Sequence, residues 1–285
     1  MKKLSSRKKT LSVCFSLIFL LLFSLYAYYQ NNYLTVTNYG ISDEKIPEAF
    51  DGFVIAQVSD FHNTQSEKLQ EDVINALREI KPDIIVLTGD FIDTRKTDTA
   101  LALSYAERLI SVAPVYMSAG NHEAATVYEY PPFEKDMRSL GVTVLRNNCE
   151  QIEKNGQLIN IMGIDDPVFF PGEDKYEKIA QGIDSVEYDK SIFTITLSHR
   201  PEVFRVYVEK KQDLVLSGHA HGGQFRLPFI GGLFIPTEGL FPKYTEGVHE
   251  EQETKMVISR GIGSSVFPIR INNRPELVII TLMNS

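Results

Sequence analysis

Nineteen residues without a charge, Leu11–Tyr29, follow a basic opening decapeptide, and the hydrophobic pattern then changes character. Short apolar runs of strand length begin with Phe53–Ser59, Ile84–Gly89 and Pro114–Gly120. Each ends in Gly or a small polar residue, and the first two are rich in β-branched side chains, so they read as buried strands. Between the first two, Leu69, Val73, Leu77 and Ile80 form one helical stripe. Thr64 and Glu67 have capping-box spacing, and Pro82 closes the segment. A second helix is predicted over about Thr99–Ile110. Strand–helix–strand–helix–strand is the order of a layered α/β domain. Later runs lie closer together: Val142–Asn147, Leu158–Ile164, Phe193–His199, Asp213–His219, Lys255–Arg260 and Glu276–Leu282. Asn155–Gly156 marks a hairpin before the second of these. The least regular stretch is Gly222–Gly247. With no internal repeat and no long linker, residues 33–285 are expected to form one domain.

The first segment reads as a membrane signal. An uncharged helix of this length crosses a bilayer core. Lys2, Lys3, Arg7, Lys8 and Lys9 favour a cytoplasmic tail over residues 1–10, and Tyr26, Tyr28 and Tyr29 suit the far interface. Residues 11–29 are therefore expected to be a single-pass signal anchor in a cell membrane. A cleaved secretory signal is the competing reading, with Ala27 the one small residue near a cleavage site. Both readings put the body outside the cytoplasm.

The anchor changes the charge picture. Residues 1–29 hold five basic and no acidic side chains, which leaves 24 basic against 37 acidic residues in 30–285, a net −13. So acidic a body is a poor match to nucleic acid, and no such partner is expected. An apolar fraction of 43% and a charged fraction of 23% exclude a disordered or low-complexity chain. Cys14 and Cys149 fall on opposite sides of the anchor boundary, so no internal disulfide is expected. The sequence does not reveal the oligomeric state.

The candidate chemistry sits where the strands end. Of six histidines, five follow apolar runs: His62, His122, His199, His219 and His221. Asp60, Asp90 and Asn121 occupy the same kind of position. Loops leaving strand C-terminal ends are where α/β sheets build sites, and His with carboxylate is a mixed N/O metal ligand set. Asp60-x-His62 and His219-x-His221 would share a face in extended chain. Gly89, Gly120 and Gly218 permit tight turns before Asp90, Asn121 and His219. Eight candidates exceed the needs of one tetrahedral ion, whereas two ions sharing a carboxylate would use most of them. That points to a two-metal hydrolase acting on a phosphoryl group.

The ordered motifs are Asp60-Phe61-His62, Gly89-Asp90, Gly120-Asn121-His122-Glu123, Ser198-His199 and Gly218-His219-Ala220-His221. Together they resemble the calcineurin-like metallophosphoesterase family. Gly222-Gly223-Gln224 and the lead-in Pro47–Gly52 resemble a membrane-associated bacterial branch, some of whose members resemble hydrolases of lipid-linked sugar nucleotides. The resemblance spans residues 33–285 and implies a four-layer α-β-β-α sandwich of two mixed β-sheets flanked by helices. It implies one metal on Asp60, His62 and His221, a second on Asn121, His199 and His219, and Asp90 between them. His122 would be a general acid at the leaving oxygen, oriented by Glu123. The ions would be divalent Mn, Fe, Zn or Co. The implied reaction is in-line attack by a hydroxide held between the ions, without a phosphoenzyme.

The substrate class is less legible. The loop after His221 is crowded with apolar residues, and reads either as packing over the sheet edge or as a wall for a lipid-linked phosphodiester or pyrophosphate. Phe229, Leu233 and Phe234 are the candidate contacts there, and Arg95, Arg200 and Arg226 are the cationic candidates for a phosphate. Alternatives are a phosphatase of soluble phosphoesters and a divalent-metal hydrolase of another bond. A non-catalytic binding module is a further alternative, against which stands the completeness of the motif set.

Overall fold

A computed structural model of the chain describes residues 2–236, 238–264 and 269–285, with side chains from residue 8 onward. Met1, the side chains of Lys2, Lys3 and Arg7 in the basic tail, and Thr237 in the apolar loop lie outside the described residues. The chain opens with α1 (Lys2–Asn32). Its part from Lys8 to Asn32 is long and apolar enough to cross a bilayer, a property that signal sequences and anchors share.

Nine strands precede the apolar loop: β1 (Thr35–Asp43), β2 (Val54–Val58), β3 (Ile84–Thr88), β4 (Val115–Ser118), β5 (Thr143–Val144), β6 (Asn148–Lys154), β7 (Gln157–Gly163), β8 (Thr194–Leu197) and β9 (Leu214–Ser217). The loop holds four two-residue strands, β10 (Arg226–Leu227), β11 (Gly231–Gly232), β12 (Phe234–Ile235) and β13 (Gly239–Leu240). After it come β14 (Gly247–Glu251), β15 (Thr254–Ile258) and β16 (Glu276–Asn284). Two six-stranded sheets result, in the orders β1-β16-β2-β3-β4-β5 and β14-β15-β9-β8-β7-β6. Both are mixed: β2 to β5 run parallel while β16 opposes β2, and β15, β9, β8 and β7 run parallel while β14 and β6 oppose their neighbours.

The strands alternate between two buried faces, as period-two geometry requires. Ile84 and Val86 point inward with Ile195, Leu197, Leu214 and Leu216 of the other sheet, forming the core between the sheets. Ile85 and Leu87 point outward against α2 (Glu67–Ile80), α3 (Thr99–Ile110) and, after the short α4 (Asn121–Ala125), α5 (Tyr130–Leu140). On the far side Val215, Met256 and Ile258 meet α6 (Lys175–Ser185) and α7 (Phe204–Glu209). The layers are thus α-β-β-α. The strands of the two large sheets that the hydrophobic pattern leaves out, β1, β6 and β14, all lie at sheet edges. Their polar, alternating sequences protect an open edge and also hide the strand.

Two local expectations change. Ser66 rather than Thr64 caps α2, its hydroxyl accepting from the Leu69 amide at 3.3 Å. β5 shrinks to two residues: the Leu145 amide still donates to Met117 O at 2.7 Å, but Asn147 takes a positive φ of 46° and turns the chain into β6. The Asn155–Gly156 hairpin forms as expected, with both residues at positive φ between β6 and β7.

Leu216 lies wholly buried between the sheets. Leu216→Ala is expected to lower unfolding free energy by about 2–5 kcal/mol in chemical denaturation, the range for a cavity in a close-packed core.

Candidate metal centre

Strands β2, β3 and β4 of one sheet and β8 and β9 of the other end at one edge of the sandwich. The buried Gln57 joins the sheets there, its Nε2 donating to Thr88 Oγ1 at 3.0 Å and to Ser217 O at 2.8 Å. Each motif lies just past its strand. Asp60, His62, Asp90, His219 and His221 all have φ between 46° and 66°, the left-handed region that non-glycine residues seldom adopt. The Asp60/His62 and His219/His221 pairs therefore do not share a face of extended chain as their spacing suggests. Left-handed turns bend the chain back, and convergence comes from the turns. Of the three motif glycines the approach is closest at Gly218: a Cβ there would stand 2.0 Å from Ser59 Oγ and 2.4 Å from Asp60 Oδ2.

Two ligand groups face one another. Asp60, His62 and His221 form the first; Asp90, His199 and His219 form the second; a third cluster, Asp93 and His122, shares His62 with the first. His221 Nε2 lies 3.2 Å from Asp60 Oδ1, and the Nε2 atoms of His62 and His221 are 3.0 Å apart. Asp90 stands between the groups, its Oδ2 3.1 Å from His199 Nε2 and 3.6 Å from His62 Nε2. The rings are oriented from behind. His199 Nδ1 donates to Thr88 O at 2.7 Å, and His62 Nδ1 faces Asp93 Oδ2 at 3.2 Å, so Nε2 of each ring points into the site. Asn121 Oδ1 is buried without a hydrogen-bond partner among the described residues. Orphaned oxygen, converging imidazoles and buried carboxylates form a donor set that fits two divalent ions.

Electrostatics in the absence of metal follow from this crowding. Burial raises the Asp90 carboxyl, but His199, His62 and His122 together outweigh it and hold the group well below the usual carboxylate range. Burial likewise lowers the imidazoles. Against it, hydrogen bonds to Asp60 and Asp93 bring His62 up to about 9, and the charge of Asp90 brings His199 up to about 10. Their raised values stabilise the metal-free fold below the ordinary histidine range, and that stability is lost as pH rises through about 9–10.

Glu123 departs from its expected place. Its Oε2 accepts from the amides of Asp90 at 2.7 Å and Gly120 at 2.8 Å, and its Oε1 from Ile92 at 2.9 Å. It does not hold the His122 ring, because neighbours on α4 diverge by about 100° around the helix axis. Instead it clamps the Asp90 loop. Burial, then the charge of Asp90, pushes its carboxyl up to about 7. His122 is held by Thr94, whose amide donates to Nδ1 at 3.0 Å. That bond leaves the ring proton on Nε2, which faces Asp90 Oδ2 at 4.0 Å.

The other candidates separate. Arg200 reaches the site: it pairs with Asp166 through Nε at 2.6 Å and Nη2 at 3.0 Å, and its Nη1 donates to His219 Nε2 at 3.0 Å. Arg95 is tied to Asp93 at 2.9 Å, on the Asp90 loop. Arg226 pairs with Glu246 and donates to Gly222 O. Phe229 is fully exposed at a hairpin tip, whereas Leu233 and Phe234 are half-buried in the loop. Asp93 is the main residue that the sequence reading missed; its signal was the Asp90-x-x-Asp93 spacing. Asn63 was missed too, and its Oδ1 accepts from the Asp93 and Asp98 amides at 2.9 and 3.2 Å.

Two outcomes follow for the metals. Asp90→Ala is expected to bring bound metal towards zero, while His62→Ala weakens one site more than the other, as read by elemental analysis. Adding a divalent ion to chelated protein at pH 7 should release protons to an indicator dye, since His62 and His199 must lose theirs to bind. Proton-free binding would contradict the raised values.

A model of the calcineurin-like phosphoesterases matches residues 53–223. The chain is 31% identical over 263 residues to the uncharacterized metallophosphoesterase YkuE of Bacillus subtilis, covering 90% of this chain and 88% of that protein. It is 29% identical over 238 residues to the phosphodiesterase YaeI of Escherichia coli, covering 81% and 82%. TT1561 of Thermus thermophilus shares the fold, with a TM-score of 0.51 at 13% identity over 74% of this chain and 91% of that one. With the family's motifs gathered around two facing metal-ligand groups, the chain belongs to the calcineurin-like phosphoesterases and is a metal-dependent hydrolase.

Proposed function

We propose that this phosphoesterase works at the outer face of a bacterial cell membrane on a lipid-linked phosphodiester or pyrophosphate, with residues 11–29 retained as a single-pass anchor and residues 33–285 as the catalytic domain. The observation that carries the hydrolytic part is Asp90, a single carboxylate within 3.6 Å of an imidazole of each ligand group. In this reading Asp60, His62 and His221 hold one ion, Asn121, His199 and His219 the other, and Asp90 serves both. Bound there, the two ions lower the pKa of a water into the neutral range and offset phosphoryl charge.

The chain's own groups supply the rest. His122 presents Nε2 toward the volume beside Asp90; in its imidazolium form the ring would give the Nε2 proton to a leaving oxygen and return to the neutral state that burial favours and the Thr94 amide holds. Glu123 fixes the amides of Asp90, Ile92 and Gly120, so the loop cannot drift. Arg200, oriented by Asp166, is the cation nearest the second group and is suited to a phosphoryl oxygen. The name of YaeI as a phosphodiesterase supports a diester over a monoester.

The anchor reading rests on how α1 ends. The Asn273 amide donates to Gln30 Oε1 at 3.1 Å, the Arg270 amide donates to Asn31 Oδ1 at 2.9 Å, and Tyr26 Oη donates to Asn272 Oδ1 at 2.6 Å. Cleavage near Ala27 would strip part of this seam from the domain.

The deciding experiment is a screen of lipid-linked and soluble phosphodiesters, pyrophosphates and monoesters with metal replacement, using the full chain. Turnover confined to soluble monoesters would overturn the substrate reading. His122→Ala is expected to keep both metals and lose about 10²–10⁴ in turnover, with a smaller loss on a nitrophenolate leaving group. Equal losses on good and poor leaving groups would contradict the acid role. Protease added to spheroplasts should digest the body, and the mature N-terminus should precede residue 11.

A further inference from the structure

Five residues after His221, the chain forms the hairpin β10–β11, whose tip is Leu227, Pro228, Phe229 and Ile230. Phe229 is 109% exposed relative to its reference and Ile230 61%, the first held at a left-handed φ of 69°. Leu240 in β13 and Phe241 after it are exposed, as is Ile269. Apolar side chains displayed together are unfavourable in water unless something covers them.

What covers them is indicated by the base of the hairpin. Asn272 Nδ2 donates to Arg226 O at 3.1 Å, and the Asn272 amide donates to Tyr26 Oη at 3.1 Å. One residue therefore joins the hairpin to the last turns of the apolar helix. The exposed faces of α1, including Phe23 and Leu25, continue directly from that junction. Tyr26 begins the tyrosine-rich end of the apolar run, where an aromatic ring sits at headgroup level. The hairpin then leaves from the same level, and its two-residue arms let the tip reach roughly 10 Å from its base. Aliphatic and aromatic residues without a charge at that depth suit the headgroup–acyl boundary.

We propose that the Leu227–Ile230 tip inserts into the outer leaflet beside α1, as a second membrane contact made by the domain itself. The inference rests on α1 being a retained anchor. It deepens the lipid-substrate reading, because the inserted loop continues from His221 and sets the metal centre at headgroup height.

The chain contains no tryptophan, so single substitutions report cleanly. Phe229→Trp and Ile230→Trp would each be made in the full chain and reconstituted into phosphatidylcholine–phosphatidylglycerol vesicles with and without brominated acyl chains. Leu17→Trp marks the span, and Glu44→Trp marks water, at an exposed residue just past the end of β1 remote from α1. The expected result is blue-shifted emission at both tip positions and quenching by bromine at least half that of Leu17→Trp, with Glu44→Trp unquenched. Quenching of Leu17→Trp alone would overturn the insertion while leaving the anchor intact. A blue shift at the tip without bromine quenching would show a protein partner or second copy there and also overturn it. An unquenched Leu17→Trp would remove the anchor and the insertion together.

Discussion

Two carboxylates and four imidazoles are packed into one buried volume, and their mutual compensation is the constraint around which the rest is arranged. Asp60 and Asp90 are removed from water almost completely. An isolated buried carboxylate is costly, and protonation or a counter-charge must answer it. Without metal the answer is protonated His62 and His199; with metal it is the ions. Either state demands that ring nitrogens and carboxylate oxygens lie within about 4 Å, closer than regular strand geometry would bring them. The left-handed backbone at five of these residues is the consequence. Its strain, of order 1 kcal/mol or more per residue, persists because the surrounding bonds overdetermine it.

Those bonds extend to the helix. Asn273 Nδ2 donates to His221 O at 2.7 Å and to Gln224 O at 3.0 Å, while its own amide donates to Gln30. Arg270, wholly buried, donates to the carbonyls of Gly261 and Gly263, and the Gly263 amide donates to Asp60 O at 2.7 Å. The segment that receives the end of α1 thus also braces both sides of the first ligand group. The position of the site relative to α1 is set by short, directional contacts rather than by a flexible tether.

The ligand candidates were legible because metal binding needs particular side chains at strand ends, and a strand end shows as the close of an apolar run. The central strands were legible for the same reason. What escaped notice depends on tertiary geometry. Glu123 looked like a partner for its neighbour His122, but helical rotation turned it onto backbone amides that sequence does not display. Asp93 reads as any loop acid until the fold places it behind His62. The i, i+2 spacing suggested the right convergence through the wrong backbone, since positive φ at Asp60 or His221 has no glycine to announce it. Edge strands β1, β6 and β14 carry the polar alternation that keeps an edge soluble, which erases the apolar signal.

A body of net charge −13 handling an anionic substrate needs local positive charge, and the three arginines that are candidates for a phosphate offer little to spare. Arg95 is paired with Asp93, Arg226 with Glu246, and Arg200 with Asp166. Each pair fixes a guanidinium in direction while cancelling most of its field at a distance. Arg200 alone combines burial with an N–H directed at a ligand residue, so it can add direction to phosphate binding but little net charge. The long-range attraction must then come from divalent ions held by Asp60 and Asp90, whose charge the nearby acids do not fully offset. In such an arrangement, affinity for a phosphoester is lost with the metal rather than with any single arginine. The surrounding acidity then serves to hold the ions rather than to repel the substrate.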